Sequence, residues 1–253
     1  MNFFRDRNNI YRVLSVIAAL VIWQLAAMRV NMDMLLASPV RVLERLCVIW
    51  REEDFLSTVL YSSLRVCGGF LIAFVLGVVL GIFAGRFRAV EYILKPYVNT
   101  VKAVPVASFI ILCLIWMDFT KLTMFISVII AFPVIYSNVA EGIRSADKKM
   151  LEMAEIYRMS PLRKLVYIYL PSVKPFLISA SSVAVGMAWK SGVAAEVIGM
   201  ADGSIGNMLY EAKVYFSNAD LLCWTVVILL LSVITEKLFI LLLKSVFRGI
   251  ERL

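Results

Sequence analysis

The sequence predicts an all-α fold: a polytopic membrane protein with six transmembrane helices and one polar helical hairpin between the fourth and the fifth. Three observations predict it. Hydrophobic residues make up 62% of the 253 residues, well above the roughly half found in soluble domains. Charge-free runs recur along the chain, several near the roughly twenty residues one helix needs to cross the hydrocarbon. The lysines and arginines behind the net charge of +8 gather mostly in short segments between those runs. That pattern orients a protein in a bilayer and argues against nucleic acid as the reason for the charge.

Composition also excludes chemistry. With no histidine in the chain, Ser–His hydrolysis, histidine proton relays and most zinc sites are ruled out. Cys47, Cys67, Cys113 and Cys223 stand apart, without CxxC or metal-ligand spacing, and read as packing residues. No GxxxxGK followed by Ser or Thr occurs, so a P-loop for ATP is not expected here, nor is a metal or cofactor site. A membrane-embedded enzyme would need a cluster of catalytic side chains within the spans, and none is evident.

Taken in order, 13–29 is span one, preceded by Arg5, Arg7 and Arg12 and lacking a small-residue cleavage signature, so it is expected to be kept. Residues 30–61 read as an external amphipathic segment. Within it Ser38-Pro39 opens a helix, VRVLERLCVIW, followed by the acidic Glu52-Glu53-Asp54. The core, 62–246, holds spans two to six, and 1–253 form one transmembrane domain. Span two is the uncharged run between Arg65 and Arg86, along which Gly69, Ala73, Gly77, Gly81 and Gly85 recur every fourth residue. Small residues at that spacing make one stripe that lets another helix backbone approach closely. Span three covers about 96–117 and includes Lys102 and Pro105; after a short turn, span four is 122–140.

The hairpin occupies 147–171. Asp147 is a candidate N-cap for a helix near 148–158, with Leu151, Ala154 and Met159 at roughly helical spacing. Ser160 before Pro161 starts a second helix through a hydroxyl cap and a proline at the first helical position. Leu162, Leu165 and Tyr169 share its apolar face, and Pro171 and Pro175 mark where the chain turns back into apolar sequence. A basic loop that only links two spans would explain the charge but not this face, so another protein is expected to dock there. Span five runs over 176–195, with Ser179, Ser182 and Gly186 on one side and Lys190 within. A turn-rich outer piece follows to 220, and span six is 221–243, carrying Glu236-Lys237 before a basic tail. The distribution of Lys and Arg places both termini and the hairpin in the cytoplasm.

Lys102 and Lys190 are the sharpest site candidates, because a charge within a span is costly and faces a cavity or a partner, unless it snorkels to the interface. With Pro105, Ser182 and Glu196 they make up the candidate translocation pathway. They hint at an anionic solute or at a pairing of Lys190 with Glu196, although on an ideal helix those two lie about 120° apart.

The hairpin sequence EMAEIYRMSPLRKLVYIYLP resembles the EAA motif of permease subunits from binding-protein-dependent ABC importers, in which a Glu-Ala-Ala opening precedes a Pro nineteen residues after the Glu. Glu152 and Pro171 have that separation, Ala154 supplies the second alanine, and Leu170-Pro171 closes the motif. ASPVRVLERL, SSLRVCGGF, LKPYVNTVKAVP and VAAEVIG are similar to stretches of the taurine, aliphatic sulfonate and nitrate permease branch. Two departures stand out: Met153 replaces the first alanine, and Arg158 stands where the family usually has glycine. A left-handed backbone there would cost a side chain about 1 kcal/mol. The resemblance implies a multi-pass type I importer permease of the prokaryotic inner membrane, in contact with lipid and doing no bond chemistry. It implies two ATPase subunits carrying ATP and Mg, a second permease copy expected as a homodimer, and an extracytoplasmic substrate-binding protein. Glu152, Ala154, Arg158, Leu162, Leu165, Leu170 and Pro171 would couple the chain to the ATPase. Sulfonates, nitrate, bicarbonate-like anions and pyrimidine vitamin precursors are the solutes of similar systems. A secondary transporter or channel is the alternative.

Overall fold

The computed structural model describes residues 3–30, 32 and 35–250, and among them every regular element is helical. The centre is built from three long helices, α3 (Phe55–Arg86), α6 (Phe119–Arg144) and α9 (Leu170–Gly199). α3 meets α6 along its small-residue face. A Cβ added at Gly77 would stand 2.8 Å from the Ile135 Cβ, at Gly81 2.8 Å from the Val139 Cβ, and at Gly85 2.6 Å from the Ile143 Cβ. Gly69 lies equally tight against Met124 and Ser127, and Ala73 is fully buried. In lipid, where water gives no drive to bring apolar helices together, such backbone approach supplies the van der Waals contact that holds a helix pair. α9 packs against both α6 and α3, burying Ala180, Ala184, Ala188 and Trp189 in the core.

The outer helices are fastened at particular points. α11 (Asn218–Ile250) lies on α3 through Phe239, whose ring meets Phe70 and Phe74 edge-on at 4.8 and 5.0 Å. α2 (Pro39–Ile49) opens at the N-cap Ser38, which accepts from the Arg41 N–H. Arg45 then ties it to Asp220 at the start of α11 and to Glu52 at 2.6 Å. Phe55 is sandwiched between Trp50 and Trp224. α1 (Phe3–Val30) touches α2 and leaves its apolar stretch largely exposed.

The elements depart from the sequence reading in four places. α3 begins at Phe55, so the segment read as 30–61 ends seven residues early and Arg65 lies inside the helix. Its guanidinium is accommodated over the Tyr61 ring, 3.3 Å from the centroid, with Nε donating to the Thr120 carbonyl at 2.8 Å. Span three is not one rod: α4 (Arg88–Ala103) and α5 (Val106–Cys113) are bent by 102°. Pro105 is the cause, since a proline disfavours helical backbone in the residue before it, and Val104 is extended at φ −74°, ψ 131°. Pro171 and Pro175 do not turn the chain. α8 (Pro161–Lys164), a π turn at Leu165–Tyr169 and α9 form one helix of 39 residues, Pro161–Gly199. The π turn opens the ladder, the Leu170 N–H reaching back to the Leu165 carbonyl, next to Pro171, which has no donor to offer. By length and composition four helices can cross a membrane, namely α3, α6, this long helix and α11. The bent pair makes up to five, and the apolar Leu14–Val30 of α1 is shorter than these.

The two ends of the bundle differ. At one end α7 (Lys148–Ile156) and α8 stand beyond the ends of α3 and α6, with Arg86, Arg88, Arg144 and Lys174 nearby. At the other, α2, α10 (Ile205–Val214) and the acidic residues 52–54 gather around the start of α11, and α5 lies against the end of α9.

Candidate functional site

α7 is set by its caps. The Asp147 carboxylate accepts from the Lys149 N–H at 2.8 Å. At the other end the Arg158 N–H bonds to the Glu155 carbonyl at 3.0 Å and the Met159 N–H to the Ala154 carbonyl at 2.8 Å. This pair of bonds closes a helix through a left-handed residue. That residue is Arg158, at φ 49°, so the backbone that suits glycine is kept with an arginine in it. Ser160 is extended and precedes Pro161 at the first helical position, but its hydroxyl caps nothing; its carbonyl accepts from the Lys164 N–H at 3.0 Å.

The hairpin's apolar residues sort into three surfaces rather than one face. Ala154 is buried between Ala146 and Ile168, with Met159 and Tyr169 beside them, so it holds the hairpin shut and does not reach outward. Leu151, Leu162 and Leu165 line a cleft of about 450 Å³ between the hairpin and the ends of α3 and α6. Met153 and Tyr157, at 52% and 76% exposure, edge a second cleft of about 210 Å³ beside Tyr167 and Ile168, and Ile156, at 79%, faces away from it with Glu152 exposed nearby. This set was missed in the sequence, although 153, 156 and 157 have helical spacing. Arg158 is exposed at the turn, Leu170 is half-buried and Pro171 is exposed, both at the start of α9.

The intramembrane polar residues fall into two groups. Lys102, near the end of α4, donates from Nζ to the Ser137 hydroxyl of α6 at 2.8 Å. It lines a polar groove of about 200 Å³ with Lys95, Asn99 and Tyr136. Glu91 and Arg144, 3.0 Å apart, bridge α4 and α6 in the same groove. The signal was readable: 91, 95, 99 and 102 make one polar stripe on α4. Pro105 stands at the break just beyond. Lys102 also lines a smaller pocket of about 130 Å³ with Met187 of α9. One turn on from Met187 is Lys190, exposed and without a hydrogen bond or ion pair among the described residues.

Ser182 and Glu196 are elsewhere, contrary to their inclusion with the lysines. The Ser182 hydroxyl donates to the Glu236 carboxylate and is taken up in the contact between α9 and α11. Glu196 is fully buried, and its carboxylate accepts from the Ser62 hydroxyl at 2.8 Å and the Gly206 N–H at 3.1 Å. The same Ser62 oxygen accepts from the Ile205 N–H at 2.9 Å. Glu196 thus sits at the N-terminus of α10, where free amide donors and the helix dipole favour a carboxylate. That explains why it does not pair with Lys190. A Cβ on Gly206 would collide with the Glu196 Cβ, so only glycine lets α10 come this close. Among the described residues no group of three or more Cys, Asp or Glu could hold a metal ion.

Known proteins are similar to this chain in sequence. The family described as binding-protein-dependent transport system inner membrane component matches residues 77–252. The chain is 25% identical over 225 residues to a putative aliphatic sulfonates transport permease of Bacillus subtilis, covering 86% of this chain and 79% of that one. It is 28% identical over 204 residues to a nitrate import permease of Synechococcus elongatus, covering 76% and 72%. A taurine transport system permease of Escherichia coli is 25% identical over 221 residues, covering 85% and 80%.

Proposed function

Because the chain belongs to the family of binding-protein-dependent transport system inner membrane components, an ABC transporter permease and not an enzyme, we propose that it forms the translocation pathway of an ATP-driven importer of small anions. A separate ATPase, holding ATP and Mg, drives it through the hairpin at 147–171. The observation that carries this reading is the hairpin's tip. Ile156 and Tyr157 present exposed apolar surface beyond the basic end of the bundle, on a helix stiffened behind by Ala154 and Ile168. Exposed apolar side chains on a rigid, polar-flanked helix fit a groove in a partner. The start of the 39-residue helix lies directly behind the tip, so displacement there is passed into the core.

Two further features support the pathway. Lys102 and Met187 of α9, one turn before Lys190, line one pocket, which we read as half of a pathway that a second copy would complete. A lysine hydrogen-bonded to Ser137 within a polar groove suits an anion, and sulfonate, taurine and nitrate are the solutes in the relatives' names. Basic residues around the hairpin favour a cytoplasmic placement of that end and of both termini, with an extracytoplasmic binding protein delivering solute at the other. The test is ATP-driven uptake by the reconstituted complex carrying Ile156→Asp. We expect the variant chain to fold, since Ile156 is 79% exposed, and to lose ATPase association and uptake together. Unchanged uptake, or uptake that follows an ion gradient without ATP, would overturn the reading.

A further inference from the structure

The cleft of about 450 Å³ behind the hairpin is a different surface from its tip. One wall is the end of α3, where Ile82 and Arg86 stand; the opposite wall is α7, with Glu155; the floor is the start of the long helix, with Lys164, Leu165 and Tyr169. Arg86 closes the charge-free run of α3 and so stands at the level of the lipid headgroups. Its guanidinium donates to the Tyr169 hydroxyl at 3.3 Å. None of Arg86, Lys164 and Glu155 has an ion pair among the described residues, although all three line the cleft. The cleft therefore offers two cations and a phenol, a carboxylate facing them, and apolar side chains between.

We propose that this cleft binds the headgroup of phosphatidylethanolamine from the leaflet at the hairpin end. Each part of that lipid meets its complement. The phosphate lies against Arg86, Lys164 and the Tyr169 hydroxyl, as charge-assisted bonding requires, and basic pockets between membrane helices hold lipid phosphates in this way. The primary ammonium donates to Glu155. The acyl chains leave along Ile82 and the exposed apolar side of α3, where Val79 and Phe83 continue the surface. Phosphatidylcholine has no N–H to give Glu155, and phosphatidylglycerol brings no cation to offset it. A lipid seated here joins the hairpin to α3. The proposal rests on the family's membrane setting and not on which solute is carried or on what drives it.

The experiment is native mass spectrometry of the full-length chain, with any subunits that stay bound to it, released from bilayer discs of equal phosphatidylethanolamine, phosphatidylglycerol and phosphatidylcholine. Phosphatidylethanolamine is expected to be retained preferentially. Retention should fall about fivefold in Arg86→Gln and in Glu155→Gln, and hold in Arg163→Gln, whose side chain lies outside the cleft. A second measurement guards against a poorly folding variant: phosphatidylethanolamine discs should raise the thermal midpoint of the wild type over phosphatidylcholine discs, and not that of Glu155→Gln. Retention without headgroup preference, preference for phosphatidylglycerol, equal loss in Arg163→Gln, an equal thermal rise in both chains, or displacement of all lipid by a bound protein subunit would overturn the proposal.

Discussion

Arg158 carries a strain that can be removed by deleting its side chain. At φ 49° an L-residue meets its own carbonyl, and glycine does not. Arg158→Gly should raise stability by about 1 kcal/mol, read as a higher thermal midpoint of the purified chain, and Arg158→Val should lower it. The same left-handed closure recurs at Met200 and Phe216, at 49° and 55°. Glu196 poses the opposite case, a buried carboxylate with two donors aimed at it. Glu196→Ala leaves the Ser62 hydroxyl and the Gly206 amide without their acceptor and should cost about 1–3 kcal/mol for each. Glu196→Gln keeps an oxygen in place and should cost less, which the same thermal measurement would separate. Glu196 drew notice in the sequence as an acid near a lysine. Its real partners were not legible there, because Ser62 is 134 residues away and the Gly206 amide becomes available only once α10 has formed.

Among the elements, the small-residue stripe shows what spacing can and cannot say. That Gly69 to Gly85 fall on one face of α3 is arithmetic; that the face meets α6 is a matter of the whole bundle. Gly81→Leu should force the two helices apart at Val139 and reduce the yield of monodisperse protein, while Val79→Leu, on the exposed side, should leave it unchanged. Charge counting found the apolar stretches of α3, α6 and α11 but gave no sign of the 102° bend between α4 and α5. The count is blind to Val104, whose extended backbone is imposed by the proline after it. The π turn was equally hidden, since nothing in LVYIY differs from ordinary helix. Deleting Val166 should restore a regular turn and rotate α7 by about 100° around the axis of α9. The Ala154–Ile168 contact would then be lost, with uptake abolished in a chain that still inserts.

For the molecule as a whole, the membrane character was readable because it depends on composition summed over many residues. The polar groove was half readable: Lys102 stands out as a charge among apolar neighbours, whereas Ser137 and Tyr136 are inconspicuous until α6 lies against α4. Lys102→Ala should raise the apparent KM for an anionic solute about tenfold with basal ATP hydrolysis unchanged, and Lys102→Arg should recover part of it. Uptake kinetics against solute concentration would check this. The continuous helix Pro161–Gly199 adds a matter of amplitude. Its 39 residues span about 58 Å at about 1.5 Å each, so a swing of about 5° around one end carries the other by about 5 Å. Glu196 rides near the far end with α10 bolted to it. A small tilt given at the hairpin and passed on through the π turn at Leu165–Tyr169 therefore reappears, magnified, as travel of the opposite mouth of the bundle.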